Sequence, residues 1–168
     1  LAVQNGRIVA LGPTAELLPA FAPQAVHDAR GCFLVPGFVD AHTHPVFVGT
    51  REREFDQRLR GVSYQEITRQ GGGIFRSVDD LRGASDAAIA ASVRGHLRGF
   101  LAAGTTTVEC KSGYGLTWRD ERRSLALLAA EAAALPLRVV PTFPGAPQCP
   151  KEFRDRRDDY LRLLTDAM

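Results

Sequence analysis

Three short apolar runs constrain this chain most: Phe33 to His44, Thr105 to Cys110 and Leu137 to Phe143. The first is broken by Pro36-Gly37, the other two are too short for a helix of ordinary length, and the second is rich in β-branched residues. Helical patterns separate them. The longest starts at Ser85 and runs to about Ala103, with Ile89, Val93, His96, Leu97 and Phe100 at helical spacing. A second is capped by Thr117 to Asp120 and continues to about Ala134; a third starts near Asp155. Strands joined by crossovers of helical length run parallel, because a tight hairpin cannot connect them. The predicted fold class is therefore α/β, built from three βα units. Three strands cannot close an eight-stranded (β/α)8 barrel. With no Met at position 1 and a helical pattern still running at Met168, the expectation is the first three units of a longer chain. The competing arrangement is a complete, small, open α/β sheet.

Residues 1–35 read differently. Leu1–Val3 and Arg7–Leu11 are expected to be strands around Asn5-Gly6, a dipeptide that tolerates positive φ. Thr14 begins a short helix through Leu18, which Pro19 is expected to stop. Ala25–Asp28 and Cys32–Val35 are expected to add strands. The domain division is thus 1–35, a small β layer, and 36–168, the α/β part. Within the latter, Arg51–Glu54 is mixed in charge and read as helical or half-solvated. Ser63 and Glu66 form a capping box for a short helix to Gln70. Gly71-Gly72-Gly73 ends it, and no Gly-Lys-Ser/Thr follows to make a phosphate loop.

A formal charge of +2 on 168 residues gives no reason to expect nucleic acid or membrane as a partner. Three widely spaced cysteines, Cys32, Cys110 and Cys149, suggest no disulfide framework and fit a reducing cytosol. No apolar run reaches the length of a membrane span, and no secretory leader opens the sequence. The localisation expected is cytoplasmic.

Chemistry concentrates in Pro36-Gly37-Phe38-Val39-Asp40-Ala41-His42-Thr43-His44. Histidines two apart on a strand share a face, with Cβ atoms roughly 6 to 7 Å apart, close enough to hold one metal ion. His42 and His44 are the candidate metal ligands. The plain alternative is two polar residues ending a strand. Two ligands do not complete a catalytic site, and the others are expected beyond residue 168. Arg51, in the loop after this strand, offers a planar fork suited to a carboxylate, against surface pairing with Glu52 or Glu54. Tyr64 and Tyr114 sit in or near loops after strands, where a phenol can line a site or simply pack. Lys111 could bridge two metals if carboxylated, but nothing else demands a second metal, so it reads as a polar loop lysine. Glu109 is placed to orient a loop or a ligand. His96 reads as a helix-face or core histidine. No catalytic acid or base is identifiable.

The motifs Pro36 to His44, Gly49-Thr50-Arg51-Glu52, Gly71-Gly72-Gly73-Ile74, Thr106-Thr107-Val108-Glu109, Lys111-Ser112-Gly113-Tyr114-Gly115-Leu116 and Thr142-Phe143 together resemble those of the imidazolonepropionase family, within the amidohydrolase superfamily. The glycine triplet and the Lys-Ser-Gly-Tyr-Gly-Leu run are the specific part. The resemblance implies a partial (β/α)8 TIM-like metallo-hydrolase barrel preceded by part of a small β-sandwich. It implies one divalent or trivalent metal ion, zinc or iron, on His42 and His44, and a pocket for 4-imidazolone-5-propanoate lined by Arg51, Tyr64 and Tyr114. It implies hydrolysis of the ring amide to N-formimino-L-glutamate in histidine degradation, and a homodimer for the full-length enzyme. The competing functions are hydrolysis of another cyclic amide and a non-catalytic remnant with a binding or assembly role. One departure stands out. The family places a substrate-contacting histidine after Gly-Ala, where this chain has Gly145-Ala146-Pro147. Proline has no side-chain donor or acceptor and cannot do an imidazole's work, so that contact is dispensable, or another residue replaces it, or this copy has decayed.

Overall fold

The computed structural model describes residues 1–145 and 148–167. It divides into two compact units, Leu1–Pro36 and Gly37–Met168. The first holds an antiparallel hairpin of β1 (Ala2–Gln4) and β2 (Arg7–Ala10), followed by helix α1 (Thr14–Phe21). Asn5 and Gly6 both take positive φ, 52° and 73°, as the tight turn requires. Pro19 lies inside α1 rather than ending it. On an exposed helix of eight residues the carbonyl that loses its donor can turn to water. No strand forms at Ala25–Asp28 or Cys32–Val35. Arg30 and Gly31 turn the chain with positive φ, and neither segment pairs with the hairpin. The expected β layer is therefore a single hairpin.

The second unit is a mixed α/β structure with a three-stranded parallel sheet in the order β3 (Phe38–Thr43), β4 (Thr105–Lys111), β5 (Arg138–Thr142). Between β3 and β4 run α2 (Glu52–Leu59), α3 (Tyr64–Arg69), α4 (Ile74–Gly83) and α5 (Asp86–Ala102). Helix α6 (Trp118–Ala132) joins β4 to β5, and α7 (Arg157–Ala167) follows a short 3-10 turn at Lys151–Phe153. Ser63, Ser85 and Thr117 cap α3, α5 and α6 as their sequences predict, each accepting from the backbone N–H three residues on. Helix α4 is not among the elements expected from the sequence. Its Ile74, Val78 and Leu81 do carry helical spacing, but Gly73 supplies no polar cap.

The core lies between the sheet and helices α5 and α6. Ile89, Val93 and Leu97 from α5, Val108 and Cys110 from β4, and Leu128 from α6 are all fully buried there. Residues alternate across a strand, so Thr107, Glu109 and Lys111 point to the other face of β4. That face carries apolar side chains in the open: Val39 is 70% exposed and Val140 43%. Parallel sheets are ordinarily covered on both sides; among the described residues only one side is.

Candidate functional site

The register between β3 and β4 slips between Asp40 and Thr43, just where the paired histidines sit. His42 is the penultimate residue of β3 and exposed; His44 is the first residue beyond it and half-buried. Their rings lie 5.4 Å apart, centroid to centroid, and the His44 ring lies 6.0 Å from that of Tyr114. Among the described residues neither imidazole is engaged in a hydrogen bond, so their nitrogen lone pairs are open to a metal ion. The pair thus fits half of a metal site. No cluster of three or more His, Cys, Asp or Glu with ligand geometry occurs among the described residues.

Neighbouring elements hold this segment from both sides. On α5, the Nδ1 of His96 lies 2.8 Å from the Pro45 carbonyl, which can only accept, so Nδ1 carries the proton. The His96 ring also stacks on Phe47, and Ser92 Oγ donates to the Phe47 carbonyl at 2.7 Å. On β4, Glu109 accepts from the Thr43 N–H at 3.3 Å and from the Lys111 ammonium, while Thr43 Oγ1 donates to the Glu109 carbonyl at 2.6 Å. Lys111 ends β4 rather than lying in the loop, and its charge is matched by Glu109. Cys110 is fully buried, and burial pushes its thiol up to about 11 despite the hydrogen bond from Thr43. It therefore stays protonated at neutral pH.

Burial alone would raise the Glu109 carboxyl, but Lys111, Thr142 and the Thr43 N–H together hold it below its ordinary value. A carboxylate lowered in the folded state adds stability above its unfolded pKa, and that contribution disappears as pH falls through the folded one. Glu109→Gln should therefore flatten the loss of thermal stability on acidification below about pH 5. Melting curves of both proteins across that range check it; parallel acid-side slopes would remove the argument.

Arg51 and Tyr64 form a second group around the glycine triplet. Arg51 stands at the N-terminus of α2 with its guanidinium 3.9 Å from Glu54, the pairing weighed against a carboxylate-reading role. Glu54 also accepts from the Gly73 N–H at 3.1 Å. Gly73 has φ +76°, and a Cβ built there would lie 3.0 Å from the Tyr64 hydroxyl oxygen, so the phenol closes over this turn. Arg51 lines an open cleft of about 650 Å³ with Gly49, Thr50, Arg76 and Asp80. Sequence reasoning misses Glu54 because nothing local links it to a glycine nineteen positions on. Pro147 and the neighbouring Ala146 lie outside the described residues.

Fold and site define a mixed α/β protein with a parallel sheet and a histidine pair at the end of its first strand, beside a tyrosine loop. No protein-family model matches the chain. Curated relatives do, along its whole length. It is 48% identical over 171 residues to the imidazolonepropionase of Symbiobacterium thermophilum, covering 100% of this chain and 40% of that protein. It is 46% identical over 168 residues to the imidazolonepropionase of Herpetosiphon aurantiacus, again covering all of this chain and 39% of the relative. With the imidazolonepropionase of Ectopseudomonas mendocina the identity is 46% over 166 residues, 99% of this chain and 41% of the relative. The resemblance to imidazolonepropionase, an enzyme family, therefore holds for the entire chain, which spans about two-fifths of the length of these relatives.

Proposed function

We propose that this chain is the histidine-bearing part of an imidazolonepropionase. The whole enzyme would hydrolyse the ring amide of 4-imidazolone-5-propanoate to N-formimino-L-glutamate, in histidine degradation. The observation that supports this best is the similarity to enzymes of that name along all 168 residues. Water's oxygen joins the ring carbonyl carbon, the ring C–N bond breaks, and the released nitrogen takes a proton. His42 and His44 would hold one zinc or iron ion, with further ligands from the rest of the enzyme. Such an ion, when bound, lowers the pKa of a coordinated water toward neutrality. Arg51 would grip the propionate through its fork of donors, exchanging its 3.9 Å contact with Glu54 for a closer carboxylate. Tyr64 and Tyr114 would line the pocket, Tyr114 next to the histidines.

The bare face of the sheet supports a (β/α)8 barrel for the whole protein, since further strands would enclose Val39, Glu109 and Val140. A β-sandwich contributed partly by residues 1–35, a cytoplasmic setting and a homodimer belong to the same reading. No helix among the described residues is long and apolar enough to cross a membrane. The test is hydrolysis of the imidazolone by the purified whole protein at known metal content, with formimino-glutamate identified by NMR. Turnover of a different cyclic amide instead, or none at full metal occupancy, would overturn the assignment. Arg51→Lys keeps the charge but not the fork, and should lower kcat/KM by on the order of tenfold, chiefly through KM. An unchanged specificity constant would remove Arg51 from the pocket.

A further inference from the structure

The loop after β4 is held more tightly than its exposure to chemistry alone would require. Glu121, in the first turns of α6, is 1% exposed. One of its carboxylate oxygens accepts from the Gly113 N–H and the other from the Leu116 N–H, both at 2.8 Å. These two amides bracket Tyr114-Gly115. The loop between them is conformationally costly at Leu116, which has a branched side chain and φ +58°, while Gly113 takes φ +116° as only glycine readily does. Gly115 has no room for a side chain, because an added Cβ would lie 2.6 Å from backbone atoms of Asp120 and Glu121. Arg82 donates to the Gly115 carbonyl at 2.7 Å, and the buried Tyr160 hydroxyl donates to the Leu116 carbonyl at 3.0 Å. A loop in an unfavourable conformation persists only when its surroundings over-determine it, and these hydrogen bonds do so.

We infer that Glu121 is a positioning residue for Tyr114: its buried carboxylate clamps both ends of the Tyr114-Gly115 turn and thereby holds the phenol ring beside His44. Glu121 touches neither histidine nor, on the reading proposed above, the substrate. Its action runs through the loop backbone. A carboxylate suits this task because both of its oxygens accept, whereas a glutamine would present one acceptor and one donor to two N–H groups. The inference rests on the proposed function only for the consequence in catalysis. The placement of Tyr114 against His44 can be read without substrate.

The experiment uses the whole protein carrying this segment, with selectively labelled tyrosine and histidine, as the unsubstituted chain and as Glu121→Gln. A nuclear Overhauser effect between the Tyr114 and His44 rings is expected in the first and should vanish or weaken strongly in the second, at unchanged metal content. A full-strength effect in a folded Glu121→Gln protein overturns the inference. Should that variant fail to fold, amide exchange in the unsubstituted protein decides. Gly113 and Leu116 should exchange far more slowly than Gly31, an exposed loop amide with no hydrogen-bond partner among the described residues; equal, rapid exchange overturns the clamp. In kinetics, Glu121→Gln should raise KM by about tenfold, as expected for a charged hydrogen bond removed from a buried site. Disappearance of the ring-to-ring effect with KM unchanged would uphold the positioning role and instead refute Tyr114 as a pocket residue.

Discussion

On the function proposed above, His44→Ala in the whole protein is expected to release most of the metal and to lower turnover by on the order of 10³-fold. Metal polarisation of the reacting groups supplies several kcal/mol of transition-state stabilisation, and each 1.36 kcal/mol is a factor of ten. On that proposal the alanine would leave the ion with His42 and the ligands from the rest of the enzyme, one fewer than the site is built on, which weakens its hold. The fold should survive, because His44 is only half-buried and its neighbours are fixed independently: Thr43 by Glu109, Pro45 by His96 and Phe47 by Ser92. Metal analysis and steady-state kinetics on both proteins check this. Full metal content with normal turnover in the alanine protein would remove the histidine pair from the site.

Leu97→Ala should destabilise the protein by about 3 kcal/mol, within the range for leucine deletions in well-packed cores. Leu97 is fully buried on α5 and belongs to the cluster that joins α5 and α6 to β4. The neighbours cannot collapse into the space freely, because Val108 and Cys110 are tied into a ladder paired on both sides. The same helix carries Ser92 and His96, which hold the residues just after His44, so metal affinity should weaken as well. Denaturant unfolding at matched metal content measures the first effect and metal titration the second. A loss below about 1 kcal/mol would mean that this face of α5 is not the core of the unit.

Much of this was legible in the chain because it is local. Period-2 and period-3.6 patterns are set by residues a few positions apart. Ser63, Ser85 and Thr117 therefore mark their helices, and β4, β5, α5 and α6 fall close to where their patterns put them. His42 and His44 are two residues apart, so a strand alone brings their rings together. The segments Ala25–Asp28 and Cys32–Val35 look like strands by the same local criteria. A strand, however, exists only if another backbone pairs with it, and none among the described residues does.

What the tertiary structure decided is which distant groups meet. Glu109 reaches Thr43 across 66 positions, His96 reaches Pro45 across 51, and Tyr160 reaches Leu116 across 44. By local pattern Lys111 is a free loop cation; pairing with Thr142 extends β4 through Lys111, and the two-residue period of the strand then sets it beside Glu109 at the sheet's open face. By local pattern Glu121 is one more charge in the first turn of an exposed helix. Its burial and its two amide partners depend on the loop after β4 folding back over α6, which the fit of Gly115 against the backbone at Asp120 and Glu121 makes tight. Side-chain chemistry and local periodicity were in the sequence. The partners were not, because each hydrogen bond across the fold depends on packing that no short window of residues contains.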